Sequence, residues 1–309
     1  MNRVYGGIDI GKHSSFACRI DVENQTVQFP DRSLGNEPMR DWFRDNPVQS
    51  ICIDGPPQPN NGNLAKRLPP KTRFNTQRRV AEFALQIYGC YGTPDQQPEA
   101  DSNSGWMASS MNLFRLLEES FAWKVDLGDG EGELMETHPT YAFKSLLGRV
   151  TGHLEGDIQQ IIVDPDRKLA PKRPRRAGGH NQRIELLEQA FKQLGLEIKT
   201  AVRDRWTKSI DCVDATLCAL IALWKSEKHN SLLGVGDPTE GAIYIPCPTS
   251  PFNMEAPDLA SWSSPQRKTK AEEIEPANAI FMRLGSDGPG GLSQAETIAL
   301  AQLAFDEGE

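Results

Sequence analysis

The run Ser50-Ile-Cys-Ile-Asp54 constrains the fold more than any other stretch of this chain. Three apolar positions follow one another without the polar alternation of a half-exposed strand, and Gly55-Pro56-Pro57 ends the run abruptly. A strand of that kind is buried on both faces, as happens when helices cover both sides of a largely parallel sheet. The chain therefore reads as α/β. A second run, Tyr5-Gly-Gly-Ile-Asp9-Ile-Gly11, has the same form, an apolar strand carrying one carboxylate and closed by a glycine turn. Strand-like sequence resumes at 14–20, so a hairpin is expected. A charge at the tip of a core strand costs free energy unless something pairs it, and a divalent metal is one such partner. The plainer role for Asp9 is to cap the turn at Gly11.

Further elements follow in order. Strands are expected at 4–10, 14–20 and 25–30. A helix over 37–46 should turn Met39, Trp42 and Phe43 inward and stop before Pro47. Residues 57–75 form a Pro- and Asn-rich loop with Lys66, Arg67, Lys71 and Arg73, and a helix over 76–88 carries Arg78, Arg79 and Glu82. A helix over 106–121 has apolar spacing at Met107, Met111, Phe114 and Leu117. A short strand ends at Glu136, and Pro139 opens a helix to 147. The stretch 164–183 interleaves prolines with Arg167, Lys168, Lys172, Arg173, Arg175, Arg176 and Arg183. It reads as an extended basic loop, either a solvated insertion or a phosphate-contacting arm. An amphipathic helix over 185–194 comes next.

A helix over 205–228 shows the clearest apolar stripe, through Ile210, Val213, Leu217, Leu220, Ile221 and Trp224. At about 100° per residue, Asp214 falls at the stripe's edge and Asp211 points further toward solvent. Residues 234–240 read as a loop leading to a last short strand. Beyond a domain spanning 1–247, residues 248–309 read as a Pro/Ser-rich linker and a terminal helix. That helix is signalled by a capping box at Ser293 and Glu296 and is open to docking or to a protein partner.

Composition narrows the function. A net charge of −8 argues against a general nucleic-acid coat protein, while leaving room for an enzyme with local basic patches. No apolar run approaches the roughly 18–20 residues of a membrane span. Six scattered cysteines without a Cys-x-x-Cys pair, and five histidines without ligand spacing, point away from zinc and toward a reduced cytoplasmic setting.

Asp9, Asp54, Glu136 and Asp214 are the candidate catalytic and metal-binding residues, with Asp211 secondary. Carboxyl ends of neighbouring strands line the ligand crevice of such sheets. Hard oxygen ligands suit Mg²⁺ or Mn²⁺, and two ions about 3.5–4 Å apart can activate a water and stabilise a leaving oxygen. Lys12, Arg78, Arg79, Arg173, Arg175 and Arg176 are the candidate contacts to a nucleic-acid backbone.

Five segments together resemble one family. They are Gly-Gly-Ile-Asp9-Ile-Gly, Ile-Asp54-Gly-Pro-Pro, Glu136-Thr-His-Pro-Thr-Tyr-Ala-Phe143, Asp211-Cys-Val-Asp214-Ala-Thr-Leu-Cys-Ala and Gly-Asp-Pro-Thr-Glu240-Gly-Ala-Ile-Tyr-Ile-Pro246. They resemble domain-of-unknown-function family 429, predicted nucleases of the RNase H-like fold, from about Val4 to Pro246. The resemblance implies a central five-stranded mixed sheet flanked by helices, with the four acids meeting at one end. Acids on the first strand, the fourth strand and a late helix resemble the resolvase and transposase branch of that fold. The implied activity is metal-dependent hydrolysis of phosphodiester bonds. Two other readings remain open. One is a non-catalytic interaction module on the same fold. The other is an actin-like nucleotide phosphotransferase, whose first phosphate motif Gly-Ile-Asp-Ile-Gly also resembles and which needs a second, duplicated domain.

Overall fold

The structure, a computed structural model, describes residues 3–63, 79–85, 92–128, 131–155, 158–165, 178–227, 232–237 and 239–246. Its main sheet has seven strands in the order β3 (Thr26–Gln28), β2 (Phe16–Asp21), β1 (Val4–Asp9), β4 (Ser50–Asp54), β5 (Leu134–Thr137), β9 (Gly241–Pro246) and β8 (Leu232–Asp237). The first three are antiparallel neighbours, β4, β5 and β9 continue parallel to β1, and β8 closes the far edge antiparallel. A separate hairpin pairs β6 (Gly148–Glu155) with β7 (Ile158–Pro165).

Seven helices lie among the described residues: α1 (Asn36–Asp45), α2 (Val80–Ala84), α3 (Gly105–Phe121), α4 (Pro139–Leu146), α5 (Gly178–Gln193), α6 (Thr200–Lys208) and α7 (Ile210–Ser226). The strand period of two divides the core between the two sheet faces. Ile8, Ile51, Ile53 and Leu134 pack with Met39 and Phe43 of α1 and with Leu113, Phe114 and Leu117 of α3. Tyr5, Cys18, Cys52 and Met135 pack on the opposite face with α4, α5, α6 and α7. Burial on both faces, expected from Ser50–Asp54, is what β4 shows.

Helix α7 sits directly on β1. A Cβ added to Gly7 would lie 2.1 Å from the Ala219 nitrogen and 2.2 Å from the Ala215 carbonyl oxygen. Small residues on the helix meet a missing side chain on the strand, so the two backbones come into contact. Gly7→Ala is expected to push them apart and destabilise the fold by at least the ~1–3 kcal/mol typical of overpacking. Chemical denaturation measures this, and an unchanged midpoint would contradict the close approach.

The structure departs from the sequence reading in several places. The main sheet has seven strands where the resemblance implied five, because β9 joins the edge at β5 and β8 forms beside it, taking in 234–237, which were expected as loop. The late helix is two. Ser209 is extended (φ −142°, ψ 120°), and its side chain accepts the Cys212 N–H at 3.3 Å to cap α7. Residues 178–183, expected as the end of the basic loop, are the first turns of α5, while Asp164 and Pro165 end β7. Arg78, Arg173, Arg175, Arg176 and the tail from 248 with its expected helix lie outside the described residues. No described helix is long and apolar enough to cross a membrane.

Candidate active site

Asp9 and Asp54 are register partners at the carboxyl ends of the parallel strands β1 and β4. Two residues back, Gly7 and Cys52 face α7, so both carboxylates project on the α7 side. Asp9 is 9 % exposed and Asp54 is half-buried. On α7, one helical turn before the Ala219 that touches Gly7, stands Asp214–Ala215, with Asp214 wholly buried. Asp214 is thus a core residue and not the stripe-edge residue that helical spacing predicted.

The thiol of Cys218 lies one turn past Asp214 on α7. Burial pushes its pKa up, and beyond the neighbouring Cys52 thiol the negative charges of Asp54, Asp9 and Asp214 push it further. Asp211 is half-buried in the first turn of α7. Burial raises the Cys212 thiol, the Ser209 hydroxyl and the Arg205 charge oppose that shift, and the charges of Asp211 and Asp9 add to it. Asp9 and Asp54 therefore project toward the helix that carries Asp214, with Asp211 one turn before it on the same helix.

Glu136 does not join them. It is the register partner of Ile53, whose side chain lies in the α1–α3 core, so it projects from the other face of the sheet. Its carboxylate accepts two hydrogen bonds from Arg79, Nη1 to Oε2 at 2.6 Å and Nη2 to Oε1 at 2.5 Å. Arg79 is 0 % exposed and also donates to Glu82 from Nε at 3.3 Å and from Nη2 at 3.2 Å. Glu82 in turn accepts the Thr93 N–H at 3.0 Å. Glu240 takes the N–H groups of Val80 at 2.9 Å and Asn63 at 3.1 Å, fixing the start of α2. Burial raises the Glu136 pKa; Arg79 opposes that shift without cancelling it, and Glu82 adds to it. Arg79, expected at a nucleic-acid backbone, is instead the buried hub of this network. Its charge is satisfied by two carboxylates, as a buried charge requires.

The two groups of residues meet at a cavity of about 30 Å³ lined by Asp54, Glu82, Trp106, Glu136, His138 and Ile243. That is room for one or two waters. Lys12 stays exposed at the turn after β1 and donates to the Asp101 carbonyl at 2.8 Å. Among the described residues, no group of three or more His, Cys, Asp or Glu side chains is placed to hold one metal ion. A pair is enough for the metals in question, because Mg²⁺ commonly takes one or two carboxylates and completes its shell with water and substrate oxygens. Asp9 and Asp54 fit that requirement. Glu136, occupied by Arg79, does not.

Other residues of this region have roles that the sequence did not give them. Glu82, which the family resemblance placed at a substrate contact, is instead a buried partner of Arg79. Arg183 had been grouped with the basic loop, yet it is 1 % exposed, in the second turn of α5. Asp126 is also buried. Its carboxylate pairs with the Lys225 ammonium and accepts the Tyr244 hydroxyl at 2.8 Å and the Gly128 N–H at 2.7 Å, bracing α7 against β9. Burial alone would raise its pKa, but Lys225, Gly128 and Tyr244 together bring it below the ordinary 3.8.

A carboxyl lowered in the folded state contributes stability that is present above its unfolded pKa and lost as pH falls through the folded value. Asp126→Asn is accordingly expected to cost about 1.5–3 kcal/mol at pH 7. The gap from wild type should close as pH drops below 3.8. Thermal unfolding across pH checks this, and a gap that does not vary with pH would contradict it.

One family model matches residues 74–237, more than half of the chain, under the description protein of unknown function (DUF429). The chain belongs to this family. No curated protein and no solved structure matches it. The DUF429 match is shorter than the span over which the motifs resemble the family. It takes in Arg79, Glu82, Glu136, Arg183 and Asp214, and begins after the strands that carry Asp9 and Asp54.

Proposed function

We propose that this protein hydrolyses phosphodiester bonds of nucleic acid with a divalent ion, Mg²⁺ or Mn²⁺, held by Asp9 and Asp54. The observation that carries the reading is their register pairing at adjacent strand ends, facing the helix that buries Asp214. First strand, fourth strand and late helix are the three positions that the RNase H-like reading requires. The unit β3-β2-β1-β4-β5 is a five-stranded mixed sheet within the larger one.

A bound ion would polarise a phosphoryl oxygen and lower the pKa of a coordinated water. The chain supplies the rest. Asp9 and Asp54 offer charged oxygens from two rigid strands, so the ligand geometry is set by the sheet register. Asp214, wholly buried on the helix they face, adds negative charge behind them. Lys12 stands at the rim, where an ammonium meets a phosphate. The Arg79 network keeps Glu136 out of the ion's shell and shapes the wall beside Asp54.

The non-catalytic module is the second reading, favoured by the engagement of Glu136 with Arg79. The actin-like reading has less support, since the described residues form one large sheet and one hairpin and not a duplicated pair of domains. Incubating the purified full chain with labelled DNA and RNA, with Mn²⁺, with Mg²⁺ and with EDTA, separates the three. Cleavage abolished by EDTA is the expected result. Nucleic-acid binding without cleavage would favour the module, and ATP hydrolysis without cleavage the phosphotransferase.

A further inference from the structure

A groove of about 650 Å³ crosses the open edge of the sheet at β3 and has no part in the mechanism above. Val27 and Phe29 line it from that edge, Trp42 from α1 on one face of the sheet, and Arg205 and Lys208 from α6 on the other. Trp42 is half-buried and stands edge-on to Phe43, ring centroids 4.8 Å apart, which fixes the plane of the indole. Arg205 is also held. Its Nη1 donates to the Asp31 carbonyl at 3.4 Å and its Nη2 to the Pro30 carbonyl, while its guanidinium lies 6.0 Å from the Phe29 ring centroid. Those partners are neutral. Among the described residues neither Arg205 nor Lys208 is paired with a carboxylate, although the exposed Asp31 and Asp204 line the same groove. The groove lies beside the candidate site. Strand β3 runs in the direction of β1, and Gln28 pairs with Arg19, which pairs with Gly6. Gln28 is thus two strands, about 10 Å, across the sheet from Gly6, which stands about 10 Å before Asp9 along β1. From the α6 side, Lys208 is followed by the Ser209 cap and the turn of α7 that carries Asp211.

We infer that this groove is a subsite for a single nucleic-acid strand: an unpaired base packs against Trp42, the adjoining phosphates meet Arg205 and Lys208, and the strand continues to the Asp9–Asp54 end of the sheet. The inference rests on the proposed hydrolysis of nucleic acid and names the substrate as unpaired. Every base has a flat apolar face, so an aromatic groove takes a single strand whatever its sequence, whereas a duplex hides those faces within its stack. A guanidinium has five N–H groups, and the two carbonyls leave Arg205 with donors for a phosphate in a fixed orientation. Asp31 and Asp204 oppose a phosphate and keep the affinity moderate. A peptide adding to the sheet edge is the less suited occupant, because β3 offers it three residues before Pro30, which has no N–H to give.

Fluorescence anisotropy of the full chain with labelled oligothymidylate, and with a labelled duplex of the same length, tests this. EDTA is kept present throughout, so the result does not depend on the ion site. Wild type is expected to bind the single strand more tightly than the duplex. Trp42→Leu, which keeps an apolar side chain against Phe43 but removes the ring, should weaken single-strand binding about 10-fold. Lys208 is exposed, so Lys208→Ala leaves the fold alone even if Trp42→Leu does not. It should lower the slope of log affinity against log salt by about 0.7, the loss of one phosphate contact. Asp204→Asn should tighten binding. Single-strand binding unchanged in both Trp42→Leu and Lys208→Ala, or a duplex held as tightly as the single strand, overturns the inference and leaves the proposed hydrolysis standing. So does a dimer in solution that Trp42→Leu dissociates while oligonucleotide binding stays the same, which would give the groove to a second copy of the chain. A wild-type chain that binds neither probe removes the inference and the nucleic-acid reading together.

Discussion

Asp9→Asn is expected to lower the divalent-ion-dependent cleavage rate by at least ~100-fold, comparable to deleting a single preorganised electrostatic group from an active site. The substitution is nearly isosteric, so β1, its register with β4 and its contact with α7 should persist. What changes is charge. With Asn at this position, Asp54 would be the only charged ligand left of the pair, and losing one of two anionic ligands weakens the hold on a hard, strongly hydrated cation. The loss should appear in kcat/KM at a metal concentration that saturates the wild type and be partly offset by raising Mn²⁺ further, because the defect lies in ion affinity. Circular dichroism and the thermal midpoint check that the fold is intact. Cleavage that persists in a well-folded Asp9→Asn protein would mean that the chemistry sits elsewhere or comes from a contaminant.

Arg79→Met is expected to produce the largest loss of stability, about 3–5 kcal/mol, the usual consequence of removing one partner of a buried ion network. In a domain of this size that corresponds to a fall in Tm of roughly 6–20 °C. The guanidinium answers Glu136 and Glu82 at once, and its removal leaves two carboxylates in a space of about 30 Å³ with little water. The sign of the pH dependence follows from Glu136, whose folded-state pKa burial already raises above 4.5. A carboxyl raised on folding stabilises the protein fully below its unfolded pKa, and that contribution is lost as pH rises through the folded value. Without Arg79 the raised state deepens, so the deficit should be small near pH 4.5 and grow toward pH 8. Urea unfolding at both pH values measures it. Equal deficits would show that Arg79 acts through packing, and Glu136→Gln in the same background should then restore nothing.

The sequence made the sheet core and its tips legible because those features are local. An unalternated apolar run, an aspartate and a glycine predict a buried strand with a charge at its end, and β1 and β4 are such strands. Side-chain direction was harder to read. Asp54 and Glu136 both close a core strand, yet register with Ile53 sends Glu136 to the other face, and strand register is a tertiary fact. The buried partners of charge were also out of reach. Arg79 and Arg183 look like surface cations, yet both are buried, and the burial of Arg79 depends on Glu136, 57 positions away. The break at Ser209 is a smaller lesson. The sequence reading ran one helix over 205–228 straight across it, whereas α6 ends at Lys208 and α7 starts at Ile210.

The most direct measurement of the central claim is the anomalous-scattering map of crystals of the full chain soaked in Mn²⁺. A peak bound by oxygens of Asp9 and Asp54, at the carboxyl ends of β1 and β4 and with Glu136 still on Arg79, is the predicted result. A peak on any other set of ligands, or none at a Mn²⁺ concentration that supports cleavage, would contradict it.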